Sequence, residues 1–319
     1  MSNPSRHGPL ATLFARAHLA VLERGWLSSN NVLFAAPDGE AVLVDSGYAA
    51  HAPQTVALVR RLLGAARRLD RVVNTHLHSD HCGGNAALQA AWNCAIDVPA
   101  AESDAVDRWD EDALTYRWTG QHCPRFTRTG AVEPGAWLTL GGRRWQAIAS
   151  PGHDPRSFVL HEPELGILIS ADALWERGFG IVFPEFDDPP RHDGFTAVRA
   201  TLAELRRLEI RAVIPGHGAP FDDAGAALDR AEGLLDRLEA EPERHARHAA
   251  KVLLKYHLME VRAQSHADLL QWSRDTPGLE AIRRSCFGSA SFDGWIEALL
   301  AELIASGAAR REGAQVVDA

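Results

Sequence analysis

Cysteine is scarce in these 319 residues and lysine is almost absent. The four cysteines, Cys82, Cys94, Cys123 and Cys286, are scattered and show no Cys-x-x-Cys spacing. That excludes a disulfide scaffold and a thiolate zinc cluster. Lysine occurs only at Lys251 and Lys255, and lysine plus arginine total 33 against 42 acids, for a net charge of −9. A chain built to grip a phosphate backbone carries a basic field, so nucleic acid is not the expected partner. No run approaches the ~20 apolar residues of a membrane-spanning helix, and no membrane partner is expected. Arg16, His18 and Glu23 interrupt the N-terminal stretch, which therefore does not read as a secretory leader. Internal repeats and low-complexity tracts are also missing. What remains, 46% hydrophobic and 24% charged, is the balance of a globular protein, expected in the cytoplasm as one large domain or two.

Short apolar runs set the architecture. Residues 31–34 and 41–45, joined by Pro37-Asp38-Gly39, read as a β-hairpin. Apolar residues recur at helical intervals over 55–63, and 70–75 is a further strand. A helix is expected over 85–92 and a longer, less regular one between 100 and 116. Strands return at 136–140, 143–149, 158–161 and 166–170, followed by a helix over 195–208 and a strand over 211–215. This order calls for sheets in the middle with helices outside. Beyond residue 240 the chain turns helical. Ser265 and Asp268 resemble a capping box, and Ile296, Leu299, Leu300, Leu303 and Ile304 share one helix face ahead of Gly307. Residues 308–312 and 314–317 read as a small hairpin. The expected division is a domain over 1–240 and a helical, winged-helix-like domain over 241–319. The latter carries 10 basic and 11 acidic side chains, so a structural or interface role is expected there rather than DNA binding.

The densest chemistry lies in Thr75-His76-Leu77-His78-Ser79-Asp80-His81, followed by Cys82 and then Gly83-Gly84-Asn85. Residues two apart in an extended segment point the same way, so His76 and His78 can meet one cation. Asp80 and His81 follow where the chain turns into a helix and can face a second. Imidazole and carboxylate donors at about 2.0–2.2 Å suit zinc, with iron or manganese as alternatives. Four ionisable groups at a strand end are costly to desolvate without a metal or partners. Three further residues follow predicted strands: His153 in Ser150-Pro-Gly-His-Asp154, Asp172 in Ser170-Ala-Asp172, and His217 in Pro215-Gly-His-Gly218.

This set resembles the metallo-β-lactamase superfamily, whose His-x-His-x-Asp-His motif is followed by a histidine, a bridging aspartate and a last histidine on successive loops. The resemblance covers about residues 30–220. It implies an α/β fold, the αβ/βα four-layer metallo-β-lactamase sandwich with the metals at one edge. It places His76, His78 and His153 on a first metal and Asp80, His81 and His217 on a second, with Asp172 bridging. Asp45, in Val44-Asp-Ser-Gly47, resembles the family aspartate that orients a ligand without binding metal. Two divalent ions, most simply zinc, would activate a shared water as nucleophile. Asp80 is the catalytic residue of this reading, hydrogen-bonding the nucleophile besides holding its metal.

The superfamily cleaves thioesters, lactones, β-lactams and nucleic acids, so the substrate rests on local features. Asp172 resembles the bridging residue of the thioesterase, lactonase and nuclease branches, and the first motif is close to the glyoxalase II pattern. The C-terminal module resembles the lactamase-beta-2-like branch, which includes endoribonucleases and acyl-carrier thioesterases. Trp175, Phe179, Phe183 and Phe186, just after Asp172, would wall an apolar pocket over the metals. Asp154 stands where relatives commonly carry a small or hydroxyl residue, and either braces a ligand, meets substrate or makes an Asp-Pro turn. Lys251, Lys255 and Tyr256 either hold an anionic tail or form a solvated helix face. Cys82 is expected to be a small buried thiol. The expectation is a hydrolase of a small acyl thioester or ester, with a metal-dependent endoribonuclease as the alternative and a homodimer open as the assembly.

Overall fold

The computed structural model describes residues 8–184 and 193–319. Phe186, the last aromatic of the expected pocket wall, lies outside the described residues. Six strands form the first sheet in chain order: β1 (Leu19–Leu22), β2 (Asn31–Ala35), β3 (Ala41–Val44), β4 (Arg71–Val73), β5 (Ala95–Pro99) and β6 (Gly130–Val132). The first three pair antiparallel and the rest parallel. The second sheet contains β7 (Trp137–Leu140), β8 (Arg143–Ala149), β9 (Phe158–Glu162), β10 (Ile167–Ala171) and β11 (Ala212–Pro215). It is antiparallel up to β10, which pairs parallel with β11.

Alternation along the strands builds the layers. Val32, Phe34, Val42 and Val44 point into the space between the sheets, where they meet Phe158, Leu160, Ile167, Ile169 and Ile214. The intervening Leu33, Ala41 and Leu43 point the other way, onto α2 (Ala52–Leu63) and α4 (Asn85–Trp92). Val159, Leu168 and Val213 do the same for the second sheet, beneath α7 (Gly194–Leu205) and α8 (Ala224–Ala240). Strands buried on both faces read as unbroken apolar runs, and two sheets with outer helices give the expected four-layer sandwich. Phe34 and Trp145 meet edge to face at the centre of the inter-sheet core, with ring centroids 5.1 Å apart.

One local expectation needs revision. The long helix over 100–116 is absent: α5 (Ser103–Arg108) stops where Trp109 turns left-handed (φ 55°), and α6 (Tyr116–Thr119) is a separate turn. The apolar spacing there serves packing of Val106, Leu114 and Tyr116 onto the first sheet's outer core rather than one continuous helix. A short helix α1 (Gly8–Arg16) precedes β1, and neither element was anticipated.

After α8 the chain passes directly into α9 (Pro242–Val261), with the proline at the first helical turn, a position that needs no N–H. Then come β12 (Ala263–Ser265), α10 (His266–Asp275), α11 (Pro277–Cys286), α12 (Phe292–Ala305), β13 (Ala309–Glu312) and β14 (Gln315–Asp318). Ser265 caps α10 by accepting the Asp268 N–H at 3.1 Å. The β13–β14 hairpin turns at Gly313 (φ 61°), and β12 adds to its edge. This region has its own core, including Leu253, Leu258, Ile282, Trp295 and Leu299. A smaller contact, Leu27 and Tyr48 against Tyr256 with Met259 alongside, fastens α9 to the sandwich.

Candidate metal centre

Strand ends converge on one edge of the sandwich. Asp45 follows β3, His76 and His78 follow β4, His153 follows β8, Asp172 follows β10 and His217 follows β11. His78 remains extended (φ −63°, ψ 146°) and caps the one-turn α3 (Ser79–Cys82), which carries Asp80 and His81. This backbone switch turns the first two imidazoles and the next two ligating residues toward neighbouring points.

The seven side chains form two adjoining groups, His76, His78 and His153 in one, Asp80, His81, Asp172 and His217 in the other. Within each, the donor atoms lie within 4.8 Å of one another. His78 Nδ1 and His153 Nε2 are 2.7 Å apart. Asp172 stands between the groups, with Oδ2 3.3 Å from His153 Nε2 and Oδ1 3.4 Å from His81 Nε2 and 3.9 Å from His217 Nε2. Asp80 Oδ2 lies 3.1 Å from His217 Nε2. All the residues expected to hold metal are therefore brought together, in the two expected sets, with the expected carboxylate between them.

A ring of fixed contacts aims these donors. Asp45 accepts from the Thr75 N–H (2.9 Å) and hydroxyl (2.8 Å), and its Oδ2 meets His81 Nδ1 at 2.8 Å. His81 Nε2 is thereby turned inward, the role expected of Asp45. Ile181 O receives His153 Nδ1 at 2.6 Å, and Trp175 Nε1 donates to Asp172 Oδ1 at 3.2 Å. Asn30 donates to Pro215 O (2.9 Å) and Gly218 O (2.7 Å), pinning the loop of His217. Asp154 faces His78 Nε2, the nitrogen turned away from His153, at 3.8 Å, while its Oδ1 accepts the Arg156 N–H at 2.7 Å. Its hydrogen bond is that of the turn former, and at 3.8 Å it faces His78 without bonding it. Two glycines set the close approach: a Cβ at Gly180 would come within 2.6 Å of His153 Nδ1, and one at Gly216 would collide with Asp172 Oδ1.

Charge and burial prepare these groups for cations. Burial, reinforced by His81, His78 and His153, holds His76 well below its ordinary value, and burial with His153 alongside brings His78 down to about 4. For Asp172 burial works upward, but His81 and His217 outweigh it and keep the carboxyl well below the usual range; Asp80 is lowered in the same way. Burial also opposes protonation of His81, yet Asp172, Asp45 and Asp80 together raise it well above its ordinary value. Neutral imidazoles beside ionised carboxylates are metal-binding states, and a proton on His81 is what an arriving cation displaces. His76 Nε2 is buried without a hydrogen-bond partner. Leaving such a nitrogen unbound is costly, so the donor set fits a pair of divalent ions.

A cavity of about 570 Å³ opens over the centre. Trp175, Phe179 and Phe183 line it, as expected, and Trp26 joins them, stacked on His217 at 5.5 Å. Trp26 carried no motif signal; only its 60% exposure beside His217 marks it. Cys82 is buried, its thiol 3.1 Å from Tyr116 Oη and pushed up by burial, an inert packing thiol. The solvated helix face expected at Lys251, Lys255 and Tyr256 is not found. All three line the cavity, with Lys255 Nζ tied to Asp318 Oδ1 (2.6 Å) and Ala308 O (2.7 Å). Among the described residues, no helix is long and apolar enough to cross a membrane.

Comparison with known proteins accords with this geometry. The hydroxyacylglutathione hydrolase of Hyphomonas neptunium is 30% identical over 115 residues, 36% of this chain and 38% of that protein. The chain thus spans less than half of that relative's length. The beta-lactamase-like protein 2 homolog of Caenorhabditis elegans is 24% identical over 245 residues, 76% of this chain and 72% of that one. A solved metallo-beta-lactamase family protein from Thermus thermophilus shares the fold at a TM-score of 0.56 and 20% identity, covering 95% of this chain and 99% of that chain. The sequence pattern of the metallo-beta-lactamase superfamily matches residues 24–217, from just before β2 to the last histidine of the centre. With more than half of its length inside that pattern, the chain belongs to the metallo-beta-lactamase superfamily.

Proposed function

We propose that the chain is a binuclear metal-dependent hydrolase that cleaves a thioester or ester bond in a small acyl compound, with zinc as its metal. The observation that carries this reading is the meeting of two nitrogen-and-oxygen donor groups with a cavity walled mainly by apolar side chains. Bound divalent ions would supply Lewis acidity and an activated water. The chain's own part is orientation. Asp45 and the Ile181 carbonyl hold His81 and His153 in the tautomers that point Nε2 inward. Trp175 steadies the Asp172 carboxylate between the two groups. Asp80, at the cavity wall beside His217, is placed to accept a hydrogen bond from the attacking water.

A thiolate leaves without being protonated, whereas an alkoxide or amine needs an acid. Tyr256, the phenol on the cavity wall, already donates to Leu27 O at 3.2 Å, which favours the thioester. The glyoxalase II-like first motif and the hydroxyacylglutathione hydrolase relatives support the same bond. On this reading residues 1–240 are the catalytic domain and 241–319 a winged-helix-like module, and neither nucleic acid nor membrane is a partner.

The test is a panel of acyl thioesters set beside single-stranded RNA, with zinc-loaded protein. Thioester turnover without RNA cleavage is expected, and His78→Ala is expected to abolish it. RNA cleavage without thioester turnover would replace this reading with the endoribonuclease.

A further inference from the structure

The cavity extends well past the metal centre. His248, Lys251, Val252, Lys255, Tyr256 and Met259 all line it, and they recur at three- and four-residue intervals. One stripe of α9 therefore forms a wall. Tyr256 marks the metal end, because its hydroxyl meets Leu27 O and its ring stands against Tyr48, at 5.5 Å, where α9 docks on the sandwich. Lys251 and His248 mark the far end, about 7.5 Å and about 12 Å back along the helix axis at 1.5 Å per residue. There Lys251 Nζ pairs with Glu302 Oε2 at 2.9 Å, beside Leu303 of α12. Between these ends Val252 from α9, Leu234 and Leu238 from α8, and Ile181 and Phe183 from the loop after β10 make the wall largely apolar, and Lys255, also on it, has its Nζ tied to Asp318 Oδ1 at 2.6 Å.

We propose that this run is the seat of a medium-chain acyl group, with its carbonyl at the metal centre and its tail lying along α9 toward the Lys251–Glu302 pair. The assignment rests on the hydrolytic reading for the position of the carbonyl. The rest follows from shape and chemistry: a donor cluster at one end, a largely apolar wall of about one and a half helical turns, and an ion pair at the other end. A polar or short acyl group would leave that wall unfilled, whereas each methylene laid against it is removed from water. The helical C-terminal region thereby acquires a task at the site, since α9 and α12 furnish one side of the acyl seat.

Straight-chain carboxylates, the products of such a reaction, probe the seat without turnover. Calorimetry of the zinc-loaded protein with acetate, butyrate, hexanoate, octanoate and decanoate is expected to show affinity rising by up to about fourfold per added methylene. The rise is expected to level off near the octanoate–decanoate step. Val252→Trp, which fills the middle of the wall, is expected to bring the plateau down to about hexanoate. Val252→Ala, which adds no bulk and so cannot fail by overpacking, is expected to leave the plateau in place and to lower the affinity of hexanoate and longer carboxylates while leaving acetate unchanged. Affinity independent of chain length in the wild type, or an unchanged plateau in Val252→Trp together with unchanged affinities in Val252→Ala, would overturn the assignment. Length-dependent binding without thioester turnover would uphold the acyl seat and remove the hydrolytic reading; turnover without length dependence would do the reverse.

Discussion

Asp45 stands one residue back from the donors, yet His81 depends on it for its orientation: the carboxylate holds Nδ1 at 2.8 Å and is itself anchored by Thr75. Loss of such an orienting partner typically weakens metal binding 10–100-fold. Asp45→Asn is therefore predicted to lower zinc affinity by about that factor in a folded protein, read by competition with a chromophoric chelator; unchanged affinity would show that His81 needs no brace. A different carboxyl tests the electrostatics behind the site. Burial, with Asp154 adding to it, pushes Glu102 up to about 7 from 4.5, although Arg156 donates to it at 2.9 Å. Between those values the folded chain keeps a proton that the unfolded chain has released, so stability falls as pH rises through the window. Glu102→Gln removes this dependence. Its Tm relative to wild type is predicted to rise between about pH 5 and about pH 8, and a constant difference would contradict the assignment. The seven donors were legible in the sequence because four of them crowd into six positions and the others follow apolar strand runs. Ile181, Asn30 and Trp26 were not. A backbone carbonyl that fixes a histidine has no side-chain signature, and Asn30 acts on a loop 185 positions away.

At the scale of elements, the short apolar runs were the most readable feature, because β2, β3, β9, β10 and β11 are buried on both faces and so stand out as nearly unbroken apolar stretches. Trp145 sits where the two sheets meet and is fully buried against Phe34. Trp145→Ala is predicted to cost about 3–5 kcal/mol by denaturant titration, and a loss under about 1 kcal/mol would mean that the inter-sheet core closes around the gap. Helices were less readable where tertiary contacts override spacing. The region between 100 and 116 shows helical intervals, yet left-handed Trp109 and Thr115 break it. Turn glycines at the site follow a separate logic. Gly216→Ala places a methyl against Asp172 Oδ1, so the carboxylate between the two donor groups must move. The predicted outcome is fewer than two zinc ions retained per chain after gel filtration, measured by elemental analysis; full retention would show that the loop after β11 yields instead.

Across the whole molecule, the sandwich and the helical region meet at the site rather than away from it. Leu27 and Tyr48 of the sandwich hold Tyr256 of α9, and the same helix walls the cavity. The sequence showed the change of character near residue 240, whereas the return to the metal edge entered only as one alternative for Lys251, Lys255 and Tyr256, drawn from the family resemblance, since a contact between distant segments leaves no local period. The acidic balance of the chain and its apolar cavity agree with a small acyl substrate. Everything in the functional reading nevertheless depends on two ions being held where the donors converge. Anomalous diffraction from crystals grown with zinc, recorded on both sides of the zinc edge, tests this directly. The account predicts two peaks about 3.5–4 Å apart, one among His76, His78 and His153 and the other among Asp80, His81 and His217, with Asp172 between them. A single peak, or none at this edge, would contradict it.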